Sequence, residues 1–260
     1  MIDIHSHVLP GLDDGSPSLE ESLRMVRMAA ETGTTDLVAT PHANLRYRFD
    51  PEAVERKLAE LAEASGGGVR LHRGCDFHFY FDNIQDALAN PTKYTINHKK
   101  YLLVEFSDLL IAKTTDEVFA RMLEAGMVPI ITHPERNFLL HRRLDTLQGW
   151  VGQGCLVQVT AQSLLGRFGS EARNACRELI ERGLVHFVAS DGHDSQDRPP
   201  RLDIAYQRVA KRYGGALAER LFLANPRAVL YGEPLPEIPE PEPPPPRKWY
   251  KPWSGARREK

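Results

Sequence analysis

The chain has 260 residues, 42% of them hydrophobic and 26% charged, which fits one large or two small globular domains with a core that needs no staples. Lys and Arg number 33 against 35 Asp and Glu, a net charge of −2, so the basic excess of a nucleic-acid binder is missing. No apolar run approaches the ~20 residues of a bilayer span. The start, MIDIHSHVLPG, has no secretory character. Three scattered cysteines, Cys75, Cys155 and Cys176, give no disulfide framework and point to a reducing, cytoplasmic setting.

Short apolar runs predict strands at 2–4, 36–40, 69–75, 101–106, 128–132, 156–160 and 186–190. Helices are predicted between them. Segment 18–33 carries Leu19, Leu23, Val26 and Ala30 at helical spacing. Asp50-Pro51 reads as a cap followed by proline in the first turn, opening 52–64. Segments 115–125, 170–182 and 203–213 read as helices in the same way. Seven strands alternating with helices predict an α/β fold, a distorted TIM-like (β/α) barrel, with a doubly wound open sheet as the other arrangement. From Pro234 onward lie nine of the 19 prolines. The folded domain is therefore expected over residues 1–233, and 234–260 as a flexible proline-rich tail, acidic first and then basic and aromatic.

Polar chemistry collects where the predicted strands end, the face on which parallel barrels carry their sites. The first strand runs into His5-Ser6-His7, the second into Thr40-Pro41-His42, and the third to Asp76. The fourth ends at Glu105, the 128–132 strand runs into His133-Pro134-Glu135-Arg136, and the last into Asp191-Gly192-His193. Asp13 and Asp14 on the first loop add carboxylates. In His-x-His and Asp-x-His on extended backbone, both side chains face one way and reach one ion. Imidazoles and carboxylates without thiolate suit Mn²⁺, Fe²⁺ or Zn²⁺. This many donors suit two or three ions, which can hold a hydroxide and clamp a phosphoryl group.

Glu105, inside Leu-Leu-Val-Glu-Phe, is costly in an apolar strand unless it meets a metal or an arginine. Arg136 and Arg198 are the cations placed to bind phosphate oxygens, with a plain surface role as the alternative for each. His72, His78, His98, His141 and His186 read as surface or hydrogen-bonded core residues. Cys176 and Arg182 have the C-x5-R spacing of cysteine phosphatases. The residues between them predict an amphipathic helix with two carboxylates, which is no cradle for phosphate.

The segments MIDIHSHVLPGLDDGS, ATPH, LLVEF, ITHPER and ASDGH, in this order, resemble the PHP superfamily. More narrowly, they resemble the CpsB/CapC/YwqE-type bacterial protein-tyrosine phosphatases of capsule and exopolysaccharide systems, over residues 1–233. The resemblance implies a distorted barrel with a trinuclear, usually manganese, centre that hydrolyses phosphotyrosine on a tyrosine kinase regulating polysaccharide export. It places metal ligands on His5, His7, Asp14, His42, Glu105, His133, Asp191 and His193, and phosphate-binding arginines on Arg136 and Arg198. The family's bridging Glu after the third strand is Asp76 here, one methylene shorter, which makes Asp76 the ninth expected ligand. The stretch 77–100 is not aligned with the family pattern.

The expected mechanism is in-line attack by a metal-bound hydroxide with no phosphoenzyme. Two other readings stay open. One is a small-molecule phosphatase such as histidinol phosphatase; the other is a catalytically silent metal-binding regulator. The expected partner is a phosphotyrosine protein, with no nucleic acid, no transmembrane segment and room for a homo-oligomer.

Overall fold

The structure is a computed structural model that describes residues 1–237. Its strands are β1 (Ile2–Ser6), β2 (Asp36–Ala39), β3 (His42–Ala43), β4 (Arg70–Arg73), β5 (Asp76–His78), β6 (Tyr101–Glu105), β7 (Val128–Thr132), β8 (Leu156–Thr160) and β9 (Phe187–Ala189). They pair in parallel throughout, β1-β2-β4 in one sheet and β3-β5-β6-β7-β8-β9 in the other. Two of the seven expected strands are kinked. β2 continues as β3 past Thr40-Pro41, and β4 continues as β5 past Gly74-Cys75. Pro41 has no N–H to give the ladder, though its carbonyl accepts from the Asp76 N–H at 3.1 Å. A Cβ on Gly74 would lie 2.9 Å from methyls of Thr40 and Val38, so only glycine lets the chain bend there.

The ring closes between β9 and β1. The Asp191 N–H donates to the His5 carbonyl at 2.9 Å, and the His7 N–H donates to the Gly192 carbonyl at 2.8 Å. The molecule is thus a distorted parallel barrel of the TIM type, and the open-sheet alternative is set aside.

Side-chain alternation explains why these runs are apolar on both faces. Ile2, Ile4, Leu103, Ile130, Phe187 and Ala189 fill the barrel interior. Leu102, Val104, Ile131, Val157 and Val188 face outward against the helices. The register therefore turns Glu105, Gln158 and Thr160 inward, above the apolar floor. Helices Leu19–Glu31, Pro51–Ser65, Thr115–Glu124, Gly169–Glu181 and Asp203–Tyr213 lie where the sequence predicts them, within one or two residues. Ser18 caps the first by accepting from the Glu21 N–H, and Asp50 caps the second with Pro51 in its first turn.

Four further helices, Phe81–Ala89, Leu144–Gln153, Ala161–Leu165 and Gly215–Glu219, and a π turn, Arg220–Ala224, are additional. So is helix Asn225–Tyr231, which plugs the base of the barrel with Val229 and Leu230. Leu235 packs against the same cluster. The rest of the expected tail, residues 238–260, lies outside the described residues. Among the described residues no helix is long and apolar enough to cross a membrane.

Candidate metal centre

All nine expected ligands meet at the C-terminal mouth of the barrel. Three overlapping groups have donor atoms within 4.8 Å of one another: His7, Asp14, His42 and His193; His5, His7 and Asp76; His42, Asp76 and Glu105. Asp191 joins them, its Oδ1 lying 3.5 Å from His5 Nε2 and 3.4 Å from His7 Nε2. His133 Nε2 stands 3.7 Å from Glu105 Oε1. Glu105 therefore faces imidazoles rather than an arginine. All but Asp14, which is 49% exposed at the rim, are largely withdrawn from water.

The backbone is bent to achieve this convergence. His133 and Asp191 adopt φ of 35° and 52°, a left-handed conformation costly for residues with a Cβ and concentrated at functional sites. The first loop folds back onto β1, with the Ser16 N–H donating to the His7 carbonyl at 3.0 Å. A Cβ on Gly15 would lie 2.2 Å from that carbonyl oxygen, which explains the glycine of Asp-Asp-Gly. A Cβ on Gly192 would lie 2.9 Å from the Pro200 backbone.

Residues around the cup fix which ring nitrogen faces inward. His7 Nδ1 donates to Asp13 Oδ2 at 2.6 Å, and the other Asp13 oxygen accepts from the Gly15 N–H. His5 Nδ1 donates to Gln158 Oε1 at 2.9 Å, and His193 Nδ1 donates to the Asp191 carbonyl at 2.9 Å. The lone pairs of His5 Nε2 and His7 Nε2 then point at each other across 3.3 Å, a spacing suited to two ligands on one ion at about 2.0–2.1 Å each. Sequence reasoning named Asp13 only as a neighbour of Asp14 and passed over Gln158. A glutamine inside the apolar run Leu-Val-Gln-Val-Thr carried the same signal as Glu105.

The donor set fits divalent cations by what it leaves unpaired. Asp76 is fully buried, yet neither of its carboxylate oxygens has a hydrogen-bond partner, and His42 Nδ1 has none either. His42 Nδ1 lies 3.1 Å from Asp76 Oδ2, but the alignment is too poor for a hydrogen bond. A buried carboxylate in that state is expensive unless a cation meets it.

Electrostatics agree. Burial would depress the His5 imidazole, but Asp76 and Asp191 lift it to about 9. Burial opposes charge on His42 as well, and Asp14 and Asp76 lift it to about 11. Burial, then Asp76, pushes Glu105 up to about 8. The carboxylates that raise these imidazoles are the ones that would meet a cation, so metal and proton would compete for the cup. His193 is instead pulled down to about 3 by burial and by His7.

Arg136 and Arg198 both bond Asp191 Oδ2, the latter at 2.6 Å. Their guanidinium carbons sit 4.6 and 6.0 Å from the Phe168 ring centroid, a buttress not visible in the motifs. Of the five remaining histidines four bond outside the cup, His98 to Arg73. His72 bonds Asp36, His141 bonds the Asn137 carbonyl, and His186 accepts from the Val157 N–H. Cys176 is buried in its helix, and burial pushes its thiol well up, so the C-x5-R spacing carries no nucleophile.

A parallel barrel whose mouth gathers imidazoles, carboxylates and two arginines has the make-up of a TIM-barrel-like, metal-dependent hydrolase. The family described as capsular polysaccharide synthesis, CpsB/CapC, matches residues 1–231; the chain belongs to that family. A Staphylococcus aureus protein bearing the name CapC is 37% identical over 238 residues, 90% of this chain and 92% of that one. The Bacillus subtilis tyrosine-protein phosphatase YwqE is 34% identical over 221 residues, 84% of this chain and 87% of that one. A chain from the crystal structures of YwqE from Bacillus subtilis and CpsB from Streptococcus pneumoniae, metal-dependent tyrosine phosphatases, superposes with a TM-score of 0.86 at 30% identity. It covers 92% of this chain and 98% of its own.

Proposed function

We propose that this protein is a metal-dependent protein-tyrosine phosphatase, using manganese, that acts on a tyrosine kinase of capsular or exopolysaccharide biosynthesis in the cytoplasm. The single observation that carries the reading is Asp76: a buried carboxylate with no hydrogen-bond partner, ringed by imidazoles and facing the same space as Glu105. His5, His7, Asp14, His42, Asp76, Glu105, His133, Asp191 and His193 would hold two or three divalent ions. Bound there, the ions would supply Lewis acidity and a water of lowered pKa for in-line displacement at phosphorus.

The chain's own residues do the rest. Asp13 and Gln158 hold His7 and His5 with one nitrogen each turned inward. Arg136 and Arg198 offer planar N–H forks to the non-bridging phosphoryl oxygens and stabilise charge in the transition state. Phe168 holds both guanidiniums against its ring. All three cysteines are buried, which agrees with a route lacking a phosphoenzyme. Residues 1–233 form the catalytic unit in this reading, and the 234–260 extension is dispensable for hydrolysing a small aryl phosphate.

The test is hydrolysis of a phosphotyrosine peptide before chelation, after chelation, and after Mn²⁺, Fe²⁺ or Zn²⁺ is restored, with histidinol phosphate as the comparison substrate. Activity on the peptide should vanish with chelator and return best with Mn²⁺. Retained activity in chelator, or a preference for histidinol phosphate, overturns the reading.

A further inference from the structure

Large apolar side chains left in water are unevenly distributed. Among the described residues seven are strongly exposed, and five of them, Leu45, Phe81, Leu109, Leu110 and Phe138, follow β3, β5, β6 and β7. Those four strands are consecutive neighbours in the sheet. They are also the strands that deliver His42, Asp76, Glu105 and His133. In the loops after β8, β9 and β1 and the starts of the helices they lead into, the one exposed large apolar residue among the described ones is Ile204, at the start of helix Asp203–Tyr213; that side of the mouth holds Arg198 and Phe168. The mouth therefore carries most of the exposed large apolar side chains on one arc, with Arg46 and Arg48 among them.

The arc is held in place. The Asn83 amide donates to the carbonyls of Ala43 and His78 at 2.7 and 3.0 Å, tying the loops after β3 and β5. The Asn137 amide donates to the carbonyls of Phe106 and Ser107, and the Phe138 N–H donates to Asp108, tying the loops after β6 and β7. Between Leu45 and Tyr80 opens a cleft of about 430 Å³, also lined by Tyr47, Arg48 and Asn83. It adjoins the cup, because the Tyr47 ring stacks on His42 at 6.2 Å between centroids. Arg46 and Arg48 are exposed beside Leu45.

We propose that this arc docks the polypeptide around the phosphotyrosine, an extended segment with a large apolar and an acidic residue within about three positions of it. The proposal rests on the phosphotyrosine-phosphatase reading above. A phosphoryl group seated in the cup forces the flanking chain across the rim. An extended strand advances about 3.3 Å per residue, so its next side chains fall on the arc. The arc offers apolar contact to one and Arg46 or Arg48 to the other. Exposed apolar side chains gathered on neighbouring loops mark an interaction site, and the stacking of Tyr47 on His42 at the edge of the cup selects the substrate as occupant.

The experiment uses the full Mn²⁺-loaded chain and three substrates: para-nitrophenyl phosphate, a phosphotyrosine peptide flanked by Leu, Phe and Glu, and one flanked by Gly and Ser. The variants are Leu109→Ser with Leu110→Ser, Leu45→Ser with Phe81→Ser, and Arg46→Glu. The wild type should prefer the first peptide, and the variants should raise its KM by roughly 5–30-fold. Their kcat/KM on para-nitrophenyl phosphate should stay within about twofold. Equal use of both peptides by the wild type, or variants that keep the preference, overturns the proposal. Variants that turn an oligomer into a monomer by sedimentation while keeping peptide kinetics would make the arc a self-interface, which also overturns it. Failure of the wild type on every phosphotyrosine and aryl substrate would instead sink the underlying phosphatase reading.

Discussion

The same two kinked strands carry two Asp–His pairs that behave in opposite ways. In the lower halves, β2 and β4, Asp36 faces His72. Its oxygens accept from Arg70 Nε at 2.8 Å, Arg70 Nη2 at 2.6 Å, His72 Nε2 at 2.9 Å and Thr35 Oγ1 at 2.8 Å. In the upper halves, β3 and β5, His42 faces Asp76, and the carboxylate has no hydrogen-bond partner. Residue type and burial are alike in the two carboxylates. Completeness of hydrogen bonding separates them: the lower carboxylate is fully bonded, whereas the upper one is met only by imidazoles, 3.1 Å from His42 Nδ1 and 3.6 Å from His5 Nε2, with no hydrogen bond to either oxygen.

The strongest way to break that comparison is Asp76→Ala. Losing a hydrogen-bond partner of a metal ligand typically costs about 10–100-fold, so losing Asp76, itself a proposed ligand, should cost roughly 1,000-fold or more in kcat, together with bound metal. Full activity and metal content in this variant would make Asp76 an ordinary buried carboxylate. Arg136→Ala should follow, with a loss of about 100-fold or more in kcat/KM and with metal content unchanged. Asp13→Ala should lower manganese affinity by about 10-fold or more, because His7 would lose the partner that turns its Nε2 inward. Titration of the chelated protein with Mn²⁺ measures that affinity, and an unaltered curve would remove Asp13 from the cup's support.

The sequence made the cup legible because its imidazoles and carboxylates follow apolar strand runs, where a polar side chain stands out. His-x-His needed only the two-residue period of a strand, whereas Asp-Gly-His departs from that expectation, since Asp191 lies past β9 in a left-handed conformation. The kinks were not legible. β3 and β5 have two and three residues, too few to show any period. The bend at Gly74 depends on methyls of Thr40 and Val38 that come near only after folding. Gln158 acts across the fold, and no local pattern announces a partner 153 residues away, while Asp13 reaches His7 through the bend of the first loop. Helix Leu144–Gln153 holds Gly149 and Gly152, which dilute its apolar periodicity, yet Leu144, Leu147 and Trp150 are buried along one face. The left-handed backbone at His133 and Asp191 has no sequence mark, since neither is glycine.

The complementary variant, Asp36→Ala, sharpens the comparison from the lower side. Removing a carboxylate that satisfies an arginine, a histidine and a threonine should cost about 1–2 kcal/mol, because the largely exposed Arg70 can return to water. For a domain of this size that is roughly 2–8 °C in Tm. Manganese content and kcat should not move. A metal-poor Asp36→Ala protein would show that the two halves of these strands are one coupled site.

The smallest expected effect also lies at the lower end of the barrel. Burial, then the Arg220 charge, holds the His186 imidazole down to about 4, against an ordinary value of about 6.5. The folded protein therefore keeps this ring neutral while the unfolded chain protonates it. Between pH 6.5 and 4 the unfolded state binds the extra proton, so stability falls as pH drops through that window and is flat above it. The ring nitrogen is committed to accepting from the Val157 N–H at 3.1 Å, which protonation would abolish. The contribution is at most about 2 kcal/mol, since the ring is partly open to solvent. Denaturant melts of chelated wild type and His186→Gln at pH 7.5 and 5 isolate it. The stability gap between the two proteins should narrow at the lower pH, because only the wild type has a ring left to charge on unfolding. An equal gap at both pH values would mean that His186 is already protonated in the fold, and that this end of the barrel is as short of compensating charge as the mouth.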